Sequence, residues 1–96
     1  MTFGQAIAVA KEGARVTRDG WNGKGQFIFY SQGIDITVAD LTNLTFKKWA
    51  LGRLGADKPL SLRPHLDLFT AQGDVQVGWL ASQTDVLADD WRVLDD

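Results

Sequence analysis

Apolar positions along this 96-residue chain fall into short blocks, and their spacing switches between helical and alternating. Phe3, Ile7 and Ala10 share one helical face, Thr2 and Gln5 make a capping-box pair, and Gly13 supplies a stop, so residues 3–12 are predicted to form a short amphipathic helix. Ala14 to Arg18 alternates around Val16, as a strand does, and Gln26 to Gln32 is rich in strand formers whose apolar residues suit burial on both faces. Between them, Asp19 to Gly25 is a glycine-rich turn. Ile34, Ile36 and Val38 alternate, Leu41 to Leu54 fits a helix with Phe46, Trp49 and Leu54 loosely on one side, and Gly55 to Pro59 is a loop. Leu66 to Thr70 and Val75 to Trp79, joined by Ala71-Gln72-Gly73-Asp74, form a hairpin pattern. Ser82 followed by Asp85 marks a helix start, a hydroxyl cap and then a carboxylate that complements the dipole. Trp91 to Leu94 is a last short strand. The sum is one α+β domain over residues 1–96: a small, mainly antiparallel sheet with a short N-terminal helix and a short C-terminal helical turn.

Composition narrows the function classes. Ninety-six residues suffice for one core, but leave no room for a deep, self-enclosed ligand cavity as well. Zero cysteines remove thiol nucleophiles, disulfides and cysteine metal sites together, and a single histidine removes histidine-based metal clusters. No metal or other cofactor is expected. The formal net charge of −2, without a segregated block of basic residues, argues against long nucleic acid as a partner. Small anionic ligands remain open, since a few well-placed donors suffice for them. No apolar run approaches membrane-spanning length and no signal peptide is evident, so a cytoplasmic protein is expected.

Three constellations carry candidate chemistry. In Arg18-Asp19-Gly20-Trp21-Asn22-Gly23-Lys24-Gly25, the glycines let backbone N–H groups approach an anion, Arg18 and Lys24 add charge, and Trp21 offers a flat face for a base. The competing reading is a hairpin turn with Asn22-Gly23 at its apex and Trp21 folded onto the core. Around Arg63-Pro64-His65-Leu66-Asp67, His65 suits a hydrogen-bonding or stacking role, because no nucleophile elbow accompanies it. In the tail, Trp79 and Trp91 bracket Ser82, Gln83, Thr84, Asp85, Asp89 and Asp90, more polar groups than capping one turn requires. Such a set beside an aromatic wall suits a polar, planar ligand such as a nucleotide. Trp91 is expected in the core, Trp79 at the margin of the polar cluster, and Asp89 with Asp90 on a solvated face.

Taken together, these segments resemble the phage Thoeris anti-defence sponge family, second type. The resemblance runs through Thr2-Phe3-Gly4-Gln5-Ala6, Arg18 to Gly25, Pro64-His65, Thr70-Ala71-Gln72-Gly73 and the block from Trp79 to Trp91, in the family's order and over nearly the full chain. Gly78 and Phe69 depart from the pattern, and residues 33–60 match none of it. The resemblance implies a non-enzymatic protein that sequesters cyclic ADP-ribose isomers made by a TIR protein, in some members also cyclic oligonucleotides at a separate site. It also implies a homo-oligomer, typically a tetramer with pockets between subunits, acting in the cytoplasm of the infected bacterial host. On that footing Trp21 or Trp79 would stack on the base. Asn22, Gln83 and Asp85 would reach base edges or ribose hydroxyls, and Arg18, Lys24 and the N–H groups around Gly23 would meet the pyrophosphate, with His65 and Ser82 completing the ligand set. Two rivals stand beside it: a hydrolase of the same signals using His65, Asp67 or Asp85, and a direct inhibitor of a host protein through Phe46, Trp49 and Leu51.

Overall fold

A computed structural model describes residues 1–95. Its elements run α1 (Phe3–Lys11), β1 (Arg15–Arg18), β2 (Phe27–Ser31), β3 (Ile34–Thr37), a 3-10 turn (Val38–Asp40), α2 (Leu44–Arg53), β4 (Pro59–Leu62), β5 (His65–Phe69), β6 (Val75–Val77), α3 (Gln83–Leu87) and β7 (Trp91–Leu94). This is the α+β architecture with an antiparallel sheet and N-terminal helix that the hydrophobic pattern predicts. Two compact units result, one from Met1–Ser31 with the chain from His65 onward, the other from Gln32–Pro64.

The first unit is a five-stranded sheet in the order β6-β5-β2-β1-β7, with every neighbouring pair antiparallel. Register places Val93, Val16, Ile28 and Leu68 in one row across it. Side chains alternate faces along a strand, so this row shares a face with Trp91, two residues before Val93. Onto that face packs α1, through Ala6 and Ala10, and these form the buried core with Val16, Ile28 and Trp91. The inward stripe of α1 thus runs through Ala6 and Ala10, with Phe3 and Val9 packed against it, whereas Ile7 is only half-buried. Alanine at the contact lets helix and sheet approach closely, which a larger side chain would prevent. The predicted capping box is present: Gln5 N donates to Thr2 Oγ1 and Thr2 N to Gln5 Oε1.

The second unit departs more from the sequence pattern. β3 pairs with β4 in antiparallel register, Ile34 opposite Leu62 and Thr37 opposite Pro59. The alternating Ile34, Ile36 and Val38 do not make one strand. Asp40 accepts from Thr37 N and Thr37 Oγ1, which turns the chain into the 3-10 segment and buries Val38. α2 begins at the Asn43 cap, where the side chain accepts from Phe46 N, and buries only Ala50. Strand β4 overlaps the expected loop at 55–59 only at Pro59 and otherwise forms where the sequence pattern assigns no element; Pro59 opens it, a position where a missing N–H costs least.

Candidate functional site

The end of β1 carries the densest polar network. Arg18 donates through Nε and Nη2 to the two oxygens of Asp90 at 2.8 and 3.3 Å, and through Nη1 to Asp85 Oδ1 at 2.7 Å. The Trp21 indole N–H donates to the same Asp85 oxygen at 2.9 Å, and the Trp91 indole N–H to the Asp85 backbone carbonyl at 3.0 Å. Ser82 caps α3 by accepting from Asp85 N, so the carboxylate's position follows from the local helix signal. One short helix is thereby fastened to β1, to the turn after it and to β7. Gly20 N donates to Asp90 Oδ2 at 2.7 Å, and a Cβ on Gly20 would lie 2.7 Å from that oxygen. Close approach explains this glycine.

The electrostatics follow from the partners. Burial pushes the Asp85 carboxyl up, but the bonds from Trp21 and Arg18 outweigh it and hold the group below the usual carboxylate range. The bonds from Arg18 and, more weakly, from Gly20 N outweigh the upward push of desolvation and hold Asp90 below that range too, and Asp90 and Asp85 in turn raise Arg18. Groups lowered on folding stabilise the fold above their unfolded pKa, and that contribution disappears as pH falls through the folded values. Melting temperature is therefore expected to fall as pH drops from about 4 downward. Asp85→Asn should lower the neutral-pH stability by about 2 kcal/mol and flatten this acid dependence. A thermal-melt series from pH 7 to pH 3 on both proteins checks it; parallel curves would remove Asp85 from the acid response.

Beside the network opens a cleft of about 370 Å³. Its walls are Thr17 and Arg18 of β1, then Asp19, Trp21, Gly23, Lys24 and Gly25 of the turn, and Arg92 of β7. Thr17 and Arg92 stand opposite each other in register. Gly25 needs its left-handed φ of +81°, and a Cβ there would meet nothing within 4 Å, so the turn leaves this side open. Arg92 Nε contacts Asp19 Oδ1 at 2.6 Å, and Lys24 is exposed with no ion pair among the described residues. The volume falls within the range of small-ligand sites.

The predicted residues do not all come together. Arg18, Trp21, Ser82 and Asp85 join in one network, and Trp21, Gly23, Lys24 and Arg18 face the cleft. Trp79 does not line the cleft; it packs tilted or edge-on against Phe3, Trp21 and Trp91 at 6.5, 6.2 and 6.4 Å. Trp21 also meets Trp91 edge-on at 5.2 Å, so the turn reading and the wall reading hold together: the indole packs on the core and still borders the cleft. Asn22 and Gln83 are exposed, and no contact of their side chains distinguishes them. His65 belongs to a different group, its Nε2 lying 3.2 Å from the buried Asp67 carboxylate. That carboxylate also accepts from Ser31 Oγ and Gly78 N, tying the end of β2 to the turn before Trp79.

Three participants were not singled out as site residues by sequence reasoning. Asp90 is not on a solvated face; α3 ends at Leu87 with Ala88 extended, which turns the Asp90 side chain back onto Arg18. Arg92 and Asp19 form an ion pair across the cleft wall. Strand alternation placing Arg92 on the face away from Trp91 was the available signal for it. Among the described residues no group of three or more His, Cys, Asp or Glu side chains is arranged to hold a metal ion, and no helix is long and apolar enough to cross a membrane.

Comparison with known proteins adds a family to this geometry. Residues 1–94 match the family model described as Tad2-like, Thoeris anti-defense 2-like domain. A curated protein of Bacillus phage SP01, Thoeris anti-defense 2, is 34% identical over 94 residues, spanning 98% of this chain and 94% of that protein.

Proposed function

The chain belongs to the Thoeris anti-defense 2-like family, and we propose that it counters bacterial defence as a sponge, binding a cyclic ADP-ribose isomer made by a TIR protein and releasing it unchanged. The observation that carries this reading is the cleft at the end of β1, where the glycine turn, Lys24 and the border of Trp21 meet. A cyclic ADP-ribose isomer offers a pyrophosphate, two riboses and an adenine. Lys24 and turn N–H groups suit the pyrophosphate, the Trp21 border suits the base, and Asn22 and Gln83 are exposed and free to meet hydroxyls or base edges. A cyclic oligonucleotide presents the same phosphate and base chemistry and is the second ligand class.

The cleft is open, as a site is when a second copy of the chain supplies the missing wall. A homo-oligomer, with a tetramer the expected form, would close it and slow ligand release. The place of action is the cytoplasm of the infected host, where the signal is made. To compete with an effector, the dissociation constant must reach about 10 nM, or about −11 kcal/mol. No cofactor is required.

Calorimetry with cyclic ADP-ribose isomers and cyclic oligonucleotides, then heating of the complex and mass analysis of what leaves, tests the proposal. Tight binding and recovery of intact ligand are expected. A cleaved product would instead establish the hydrolase reading. A second reading, capture of a host protein, draws on α2, where Phe46, Trp49 and Leu51 are 43%, 52% and 43% exposed. Its signature would be a stoichiometric host protein retained by the sponge but lost on Trp49→Ala.

A further inference from the structure

Three cations line the cleft, and they are not equally available. Arg18 engages two carboxylates with side-chain exposures of 12% for itself and 14% and 33% for Asp85 and Asp90. Pulling it toward a ligand would strand buried charge, which is costly. Lys24 is exposed and has no ion pair among the described residues. Arg92 is intermediate: it holds Asp19 through Nε alone, with the two side chains 54% and 65% exposed. An exposed, single-point ion pair contributes little to stability. A guanidinium has five N–H donors, so four of those on Arg92 are not used by Asp19.

We infer that Arg92 is a phosphate-binding residue of this cleft and that Asp19 is its placeholder, an internal carboxylate that aims the guanidinium and is displaced when a phosphate-bearing ligand enters. Register supports the aim. Arg92 stands opposite Thr17 on β1, whose hydroxyl is already given to Gln26 O at 2.8 Å, so the Thr17 wall is fixed and the arginine is the side chain free to move. Exchange of one oxyanion for another leaves the guanidinium charged and paired throughout, and a phosphate can take two parallel N–H bonds where Asp19 takes one. Asp19 also sets a threshold: a neutral ligand gains nothing by entering, because it cannot replace the carboxylate. The assignment rests on the reading that the ligand of this cleft carries phosphate.

The test is calorimetry on the full chain with inorganic pyrophosphate and with cyclic ADP-ribose isomers, using wild type, Arg92→Gln, Arg92→Lys, Asp19→Asn and the Asp19→Asn/Arg92→Gln pair. Melting temperatures should stay close to wild type, since the pair is exposed. Arg92→Gln is expected to weaken pyrophosphate binding about tenfold or more, with Arg92→Lys restoring only part, because a point charge lacks the fork geometry. Asp19→Asn should tighten binding by about three- to tenfold, and this gain should vanish in the double variant. A gain that persists without Arg92 would be a field effect of the lost charge and would overturn the exchange. So would wild type that binds no pyrophosphate. Cyclic ADP-ribose bound equally by all five proteins would overturn the Arg92 assignment while leaving the sponge reading intact. The expected pyrophosphate pattern with no binding of any cyclic ADP-ribose isomer would support Arg92 and count against the sponge.

Discussion

Trp91→Ala is expected to lower stability by about 4 kcal/mol, a drop of roughly 20 °C in melting temperature for a domain of this size. The indole is 2% exposed, the largest buried side chain of the core. It meets Phe3 at 5.5 Å, Trp21 at 5.2 Å and Trp79 at 6.4 Å, and its N–H is given to the Asp85 carbonyl. Truncation removes apolar area that α1 and the sheet share, opens a cavity and frees α3 on one side. Trp91→Phe separates the two contributions, keeping most of the packing and losing the hydrogen bond, for about 1.5 kcal/mol. Thermal and denaturant unfolding check both values. A loss under about 1 kcal/mol for Trp91→Ala would mean the site collapses without cost and the aromatic cluster is not the organising core.

Gly33→Ala should damage residues 32–64 comparably, by about 4 kcal/mol. Gly33 has φ +80°, and a Cβ there would stand 2.2 Å from Leu62 O, 2.8 Å from Arg63 C and 2.9 Å from Pro64 N. All three are backbone atoms, which cannot rotate away as a side chain can. The turn into β3 and the exit of β4 must therefore part, and the Ile34–Leu62 end of their pairing with them. Gly55→Ala is the matched control, with φ +87° and nothing within 4 Å of the new Cβ, so it should cost only about 1 kcal/mol. Hydrogen exchange read at the amides of β3 and β4 distinguishes the two: protection should be lost in Gly33→Ala and kept in Gly55→Ala. Equal protection in both would show that the close approach at Gly33 relaxes freely.

The candidate site was legible in part. Ser82 and Asp85 announce a helix start, and that start does place Asp85. The same residue looked like a ligand contact because a carboxylate beside tryptophans suits a ribose. In the fold its Oδ1 is taken by Arg18 and the Trp21 N–H, partners 67 and 64 residues away. Arg18 looked like a phosphate donor for the same reason and is the most committed cation of the cleft. Residue type shows what a side chain is able to bond, and its bonding partner depends on which strands become neighbours.

What the sequence determined by itself is local. The capping box at Thr2, the Ser82 N-cap, the strand formers of β1, β2, β5 and β6, and the left-handed glycines at Gly13 and Gly25 act within a few residues, where propensity and sterics decide. Chain membership in the family was legible for the same reason, because its motifs are contiguous. Only the tertiary structure decided that β4 forms at all. Its Pro-Leu-Ser-Leu has no strong alternation of burial and is held by pairing with β3. Only it decided that Asp90 turns inward, that Trp79 packs away from the cleft, and that Arg92 arrives opposite Thr17 to complete a basic wall with Lys24. Each of these is a contact between residues distant along the chain. Its energy exists only once sheet order has brought the partners together, so no local pattern can carry it.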